Sequence, residues 1–162
     1  MTKKLTILLI PLDAFGHVNP MIGVGQQLLE RGHRIVFVLD KSWEGKLLKY
    51  GFEEEVYCIG DPEQAKRQSE EWIKLILEYD FLKNVSPLEK MKGFSRDKML
   101  EKSKVMSPII KDIIDRVKPD VVIVDTMLMV PTAFKGQKWV DLNPSNVLCN
   151  ISSENQPPFG SG

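Results

Sequence analysis

The sequence is poor in the residues that build disulfide frameworks and zinc sites. Its 162 residues contain two cysteines and two histidines. Cys58 and Cys149 lie far apart, neither belongs to a CxxC motif, and no histidine is close to either in the sequence. Zinc motifs and disulfide-stapled folds need closely spaced ligands or several cysteine pairs. The sequence indicates neither, and it predicts no metal and a reducing, cytoplasmic environment.

An excess of charge and a long apolar run are also missing. The 22 basic side chains are balanced by 22 acidic ones, so the formal net charge is +0. Binding to nucleic acid depends on clustered positive charge that releases counterions, and this composition gives no sign of it. No apolar run approaches the roughly 20 residues that span a bilayer. We therefore expect no nucleic-acid partner and no transmembrane segment.

The N-terminal segment has some features of a signal peptide and lacks the decisive ones. Lys3 and Lys4 precede a short apolar run, but Thr6 and Pro11 interrupt it. No small-x-small cleavage site follows. A buried first strand explains the segment better, because central strands of parallel sheets are nearly continuous apolar runs.

Short apolar runs alternate with amphipathic stretches along the chain. Strands are predicted at residues 5–10, 34–40, 52–59, 121–125 and 138–142. Strands that alternate with helices indicate βαβ units, so the predicted fold class is α/β with a Rossmann-like parallel sheet and flanking helices. The length suits one domain, which we place at residues 1–142. The Pro- and Gly-rich residues 143–162 are predicted to form a loop or tail.

Local signals predict where the helices begin and end. Asn19 is expected to cap a helix that has Pro20 at its first position and Gly32 just past its end. Ser42 is expected to cap a short second helix. The middle of the chain is predicted to be largely helical, with a kink or a restart at Pro108.

His17 and Asp125 are the candidate reactive side chains. Ligands of open parallel sheets bind beyond the carboxyl ends of the strands, and both residues follow predicted strands there. A helix N-terminus beside His17 disfavours the imidazolium, and a neutral imidazole suits a general base. An aspartate on its other nitrogen would hold the tautomer. The alternative is a solvated loop histidine and an aspartate that serves a turn, and the spacing alone leaves both interpretations open.

The glycines near His17 do not form a nucleotide-binding motif. Gly16 would permit a tight turn or a close approach to a ligand. Together with Gly23 and Gly25 it does not match GxGxxG, and no Walker loop is present. His33 follows a glycine and opens a predicted strand, so we assign it a structural role.

Three stretches of the sequence resemble a known family. They are "GHVNPMIGVGQQLLERGHRIVFVLD", "IIDRVKPDVVIVDT" and "KWVDLNPSNVL". In this order and spacing they resemble the UDP-dependent glycosyltransferases of the GT-B fold, and most closely the macrolide-glycosyltransferase-like branch. The resemblance covers most of the chain. It implies the N-terminal, acceptor-binding half of that architecture, incomplete at its C-terminal end.

The resemblance also implies roles for individual residues. His17 would be the general base that deprotonates an acceptor hydroxyl, and Asp125 would orient it. The activated oxygen would displace UDP from a UDP-sugar co-substrate with inversion, with no permanently bound cofactor and no metal. The acceptor-binding positions that it implies are Phe15, Gly16, Asn19, Trp72 and Ile76. For Trp72 and Ile76 an ordinary core stripe fits equally well.

The family's donor-binding domain has no counterpart in this sequence. UDP-sugar is therefore expected to bind through a missing C-terminal domain or a partner chain, and the chain alone is expected to be inactive. Three functional hypotheses follow. The first is that the chain is the acceptor side of a glycosyltransferase for small lipophilic molecules, with a role in detoxification. The second is a non-catalytic module that binds small molecules. The third is an unrelated α/β protein of flavodoxin-like shape that binds a flavin or another nucleotide.

Overall fold

The computed structural model describes residues 3–60, 96–128 and 130–144. Trp72 and Ile76, which the family resemblance places in the acceptor pocket, lie outside the described residues. So does most of the predicted tail, and the domain boundary after residue 142 stays a prediction.

The described strands form one parallel sheet. They are β1 (Thr6–Ile10), β2 (Arg34–Asp40), β3 (Glu53–Tyr57), β4 (Val121–Asp125) and β5 (Trp139–Leu142). Their order is β3-β2-β1-β4-β5, and each pairing is parallel. The predicted Rossmann-like sheet is confirmed. Flavodoxin-like sheets have the order 2-1-3-4-5, so the flavodoxin-like alternative is wrong for the strands described.

Helices cover both faces of the sheet. Among the residues that the structure describes, they are α1 (Phe15–Glu30) and α2 (Arg96–Val117). Side chains alternate between the faces of a strand, so neighbouring residues of β1 enter different layers. Leu8 packs in the cluster that contains Met106 and Ile110 of α2, whereas Leu9 packs in the cluster that contains Met21 of α1. This double burial explains the nearly continuous apolar sequence of the central strands.

The start of α1 differs from the prediction. The helix begins at Phe15 with Ala14 as its N-cap, and Pro20 lies inside it. The Ala14 carbonyl accepts hydrogen bonds from the backbone N–H groups of His17 and Val18, both at 2.9 Å. The prediction that Asn19 caps this helix is therefore wrong. Pro20 is the sixth residue of α1 and has no N–H to donate to the Gly16 carbonyl, yet the helix continues past it to Glu30.

The end of α1 agrees with the prediction. Gly32 has a φ of +87°, a left-handed conformation that glycine adopts without a steric penalty. Its N–H donates to the Leu29 carbonyl at 2.8 Å, and the His33 N–H donates to the Leu28 carbonyl at 3.2 Å. These two bonds form a Schellman motif, which ends the helix and directs the chain into β2.

Helix α1 approaches the sheet closely at Gly25. A Cβ atom there would lie 3.1 Å from Leu9 Cδ1 and 3.1 Å from Phe52 Cζ. At Gly23, in the same helix, a Cβ atom would meet nothing within 4 Å. The two glycines therefore differ in the room available for a side chain.

The other predicted helix features differ in detail. Pro108 lies inside the continuous helix α2. Short 3-10 segments at Lys41–Trp43 and Leu48–Tyr50 replace the predicted second helix. Asp40, not Ser42, caps the first of them, because its carboxylate accepts the Ser42 N–H at 2.8 Å. None of the helices in the described ranges has both the length and the apolar character that crossing a membrane requires.

Two polar side chains hold the N-terminal end of β1. The Nδ1 atom of His33 accepts the Leu5 N–H at 3.2 Å, which agrees with the structural role assigned to His33. The Asp120 carboxylate accepts the Thr6 N–H at 2.9 Å, and the Asp120 N–H donates to the Thr6 carbonyl at 2.8 Å. The bond from Thr6, assisted by the nearby Lys3, lowers the pKa of Asp120.

Candidate functional site

The site is built where two neighbouring strands end. Strand β1 pairs with β4, so the residues that follow β1 and the last residue of β4 share one edge of the sheet. The Nδ1 atom of His17 lies 2.7 Å from Oδ2 of Asp125. The structure therefore brings the two predicted residues into contact, although 108 positions separate them in the sequence.

Backbone donors hold the Asp125 carboxylate in place. Its side chain is 0% exposed. Its Oδ1 atom accepts the Met127 N–H at 2.9 Å, and its Oδ2 atom also accepts the Leu12 N–H at 3.4 Å. A buried carboxylate needs such donors, because it loses its hydration on burial. The same bonds fix the direction in which Oδ2 faces His17.

The contact determines which nitrogen of His17 carries hydrogen. An ionised carboxylate has only acceptor atoms, so the 2.7 Å contact requires a hydrogen on Nδ1 of His17. When the ring is neutral, Nε2 then has the free lone pair. The His17 side chain is 15% exposed, so the imidazole retains limited access to solvent. The arrangement can accept a proton at Nε2 and stabilise the resulting imidazolium through Asp125.

The helix start contributes to the same electrostatics. His17 is the third residue of α1, and no side chain caps this helix. The partial positive charge of a helix N-terminus disfavours an imidazolium nearby. The helix start and the Asp125 carboxylate therefore act in opposite directions on the charged form of the His17 ring.

Gly16 lies in the first turn of α1 and is not among the glycines with a positive φ. The tight-turn interpretation is wrong, because the residue is helical. A Cβ atom at Gly16 would meet nothing within 4 Å, so packing does not require a glycine there. A role in close approach to a ligand stays a prediction.

The remaining described positions lie at the surface. Phe15 is 62% exposed and its ring packs on Trp43, with 4.8 Å between ring centroids. Asn19 is exposed on α1. Their predicted contacts with an acceptor remain predictions.

Two buried residues at this edge were missed by sequence reasoning. The Trp43 indole N–H donates to Oδ1 of Asp13, and both residues are buried. Asp13 follows β1 and Trp43 follows β2, so their position after buried strands was the available signal. Asp13 and Asp40, after burial itself, raise the pKa of Tyr57, which ends β3. In the ranges that the structure describes, no group of three or more His, Cys, Asp or Glu side chains could hold a metal ion.

Curated relatives of the chain are glycosyltransferases. The chain is 25% identical over 157 residues to the NDP-glycosyltransferase YjiC of Bacillus subtilis, and this alignment covers 95% of this chain and 34% of that protein. It is 38% identical over 47 residues to UDP-glycosyltransferase 79B11 of Arabidopsis thaliana, and this alignment covers 29% of this chain and 10% of the relative. A comparison with protein-family models finds no match.

Solved glycosyltransferase structures have the same fold. CalG4, the calicheamicin glycosyltransferase, superposes with a TM-score of 0.61 at 18% identity, over 98% of this chain and 34% of that one. SsfS6 of Streptomyces sp. SF2575, complexed with thymidine diphosphate, gives a TM-score of 0.61 at 18% identity, over 86% of this chain and 38% of that one. The resemblance to GT-B glycosyltransferases is confirmed. The match to YjiC includes most of this chain but only about a third of the length of YjiC.

Proposed function

We propose that this chain is the acceptor-binding part of an inverting glycosyltransferase. The observation that carries the proposal is the His17–Asp125 contact, in which a buried carboxylate leaves Nε2 of the imidazole able to take a proton. The names of the curated relatives support sugar transfer as the class of reaction, and the shared fold agrees with it. The substrate proposed for this side is a small lipophilic alcohol or phenol.

In the proposed reaction the acceptor hydroxyl donates its proton to Nε2 of His17. The oxygen forms a bond to the anomeric carbon of the sugar, and the bond from that carbon to the diphosphate oxygen breaks. The nucleotide diphosphate leaves with the electron pair, and attack from the opposite face inverts the anomeric centre. Asp125 stabilises the imidazolium, and fixed positioning of base and acceptor lowers the barrier further.

The proposed donor is a UDP-sugar, bound by a C-terminal domain or a partner chain. Two considerations support it: the names of the curated relatives include UDP- and NDP-glycosyltransferase, and a structural neighbour holds thymidine diphosphate. Neither a metal nor a permanently bound cofactor has a role in the proposal. Phe15, Gly16, Asn19, Trp72 and Ile76 are proposed to contact the acceptor. A cytoplasmic location and a role in detoxification stay predictions.

The test compares His17→Ala with wild type in the native polypeptide, purified from its source. Nucleotide release from UDP-glucose and UDP-galactose is measured with a panel of phenols and alicyclic alcohols. Loss of a general base lowers turnover by about 10²–10⁴-fold, so His17→Ala should do this with little change in acceptor affinity. His33→Gln is the matched control, because His33 has a structural bond far from the proposed reaction.

Sugar transfer that continues unchanged in His17→Ala would refute the assigned base. The second candidate, the alternative to catalysis at the same site, is a non-catalytic module that binds lipophilic molecules. It predicts acceptor binding with no turnover in the native polypeptide and the same affinity in His17→Ala.

A further inference from the structure

The segment between β1 and α1 determines where His17 lies. Residues 11–14 join the end of the strand to the start of the helix. The Ala14 carbonyl accepts the N–H groups of His17 and Val18, both at 2.9 Å, and these bonds begin the helix. No side chain caps α1, so its first turn is held through this carbonyl. A shift of Ala14 would therefore move His17 relative to Asp125.

Trp43 holds the residues on both sides of Ala14. Its indole N–H donates to Oδ1 of Asp13, and its ring packs on Phe15 with 4.8 Å between ring centroids. Trp43 and Asp13 are 6% and 7% exposed, so their bond lies in a low dielectric, where it is stronger than in water. The chain is thus held immediately before and immediately after the carbonyl that begins α1.

Trp43 is itself fixed to the end of β2. It is the last residue of the short 3-10 segment Lys41–Trp43, which follows that strand. The Asp40 carboxylate caps this segment by accepting the Ser42 N–H at 2.8 Å. Strand β2 pairs with β1, so Trp43 ties the start of α1 to the centre of the sheet.

The bond on the Asp125 side of residues 11–14 is weaker. The Leu12 N–H donates to Oδ2 of Asp125 at 3.4 Å, which is beyond the usual range of about 2.7–3.2 Å. The same Oδ2 atom lies 2.7 Å from Nδ1 of His17. If the segment moved, both partners of Oδ2 would move with it. The buried bond from Trp43 to a carboxylate is therefore expected to restrain the segment more strongly than the Leu12 bond does.

We propose that Trp43 is a positioning residue for His17. By holding the chain on both sides of Ala14, it fixes the direction in which the His17 ring meets Asp125. The inference rests on the proposed function and deepens it, because Nε2 can accept a proton only while Asp125 keeps the hydrogen on Nδ1. Trp43 acts through the backbone and takes no part in the proton transfer.

The test removes the indole N–H and follows the tautomer of His17 by long-range ¹H–¹⁵N NMR of the 162-residue chain. Trp43→Phe keeps an aromatic ring for Phe15 and removes the donor to Asp13. It should lower the ratio of the Nδ1–H form of His17 to the Nε2–H form by about two- to tenfold, which corresponds to the loss of one ordinary hydrogen bond. In the native polypeptide it should lower kcat by about ten- to a hundredfold with little change in the KM for the acceptor, because a small displacement of the base is costly.

A second replacement separates the lost bond from the lost volume. Benzothienylalanine in place of Trp43 keeps the size of the indole and has sulfur where the N–H was. It should reproduce the change in the His17 tautomer, even if Trp43→Phe does not fold. Circular dichroism checks the folding of each variant.

Trp139→Phe is the matched control, because Trp139 pairs with Val122, three residues before Asp125 along β4. It should leave the His17 tautomer and kcat unchanged. A folded variant without the Trp43 indole N–H whose tautomer ratio equals that of the wild type overturns the inference, since a bond that only stabilises the fold would give this result. An equal change of the ratio in Trp139→Phe also overturns it.

The tautomer measurement separates this inference from the proposed function. If the native polypeptide transfers no sugar but the ratio falls in both Trp43 variants, the proposed function fails and the positioning role stands. If transfer depends on His17 but the ratio does not change, only the positioning role fails.

Discussion

The two histidines of the chain are expected to hold opposite tautomers when their rings are neutral. Nδ1 of His17 faces the Asp125 carboxylate at 2.7 Å and must carry a hydrogen. Nδ1 of His33 accepts the Leu5 N–H at 3.2 Å and must not carry one. The hydrogen therefore lies on Nδ1 in His17 and on Nε2 in His33. The availability of Nε2 as the base of the proposed reaction depends on the first of these assignments.

The size of each preference follows from the bond that sets it. A hydrogen bond to a charged group contributes about 1.5–3 kcal/mol, and about 1.4 kcal/mol is tenfold in an equilibrium. The Asp125 contact should thus favour the Nδ1–H form of His17 by roughly ten- to a hundredfold. The bond to His33 comes from a neutral backbone group, which contributes about 0.5–1.5 kcal/mol, so its preference should be about two- to tenfold.

Asp125→Asn should reverse the tautomer of His17. Of the two backbone bonds to this carboxylate, the one from the Met127 N–H to Oδ1 is shorter, 2.9 Å against 3.4 Å for the bond from the Leu12 N–H to Oδ2, so the amide oxygen is expected to take the place of Oδ1. The amide NH₂ group then faces His17, whose Nδ1 must accept, and the hydrogen moves to Nε2. We expect Nε2–H to become the major form, and the proposed reaction to slow sharply because the base has the wrong tautomer.

Long-range ¹H–¹⁵N NMR spectra of the 162-residue chain distinguish the two tautomers at a pH where both rings are neutral. With two histidines in the sequence, His33→Gln assigns both signals. Asp125→Asn should change the pattern of His17 and leave that of His33 unaltered. A wild-type spectrum that shows Nε2–H at His17 would refute the reasoning, because Nε2 could not then accept a proton.

Stability measurements test the packing and the buried polar groups. Gly25→Ala should be less stable than Gly23→Ala by about 1–3 kcal/mol in urea unfolding, because only the first forces a methyl group against the sheet; equal midpoints would contradict the close approach of α1. The pKa of Tyr57 is raised in the folded protein above 10.0, its value in the unfolded chain. The free energy of unfolding should therefore fall as the pH rises above 10.0, and Tyr57→Phe should remove this loss of stability at alkaline pH. An equal loss in the variant would exclude Tyr57 as its source. The pKa of Asp120 is lowered in the folded protein below 3.8, its value in the unfolded chain. Its contribution to the free energy of unfolding is therefore present above pH 3.8 and is lost as the pH falls through the pKa of the folded state. Asp120→Asn should flatten this acid loss in pH-dependent unfolding, and an unchanged acid profile would show that the bond from Thr6 does not depend on the charge.

The sequence determined the sheet because burial on both faces leaves a strong local signal. The predicted bounds of β2 and β4 agree with the structure, since their apolar runs end at Asp40 and Asp125. The end of α1 could also be predicted from the local sequence, because Gly32 adopts a positive φ that residues with a side chain avoid. The start of α1 was predicted wrongly, because the Asn19-Pro20 signal is typical of a helix start and says nothing of a turn already formed from Ala14.

The residues of the candidate site were visible in the sequence, whereas their contacts depended on the tertiary structure. His17 and Asp125 could be placed at the carboxyl ends of strands, but their contact requires that β1 lie beside β4, and strand order is set by packing between distant parts of the chain. The same holds for Asp13 and Trp43, whose hydrogen bond joins the ends of β1 and β2. Local periodicity reports which side chains are buried, and only the folded sheet decides which of them meet.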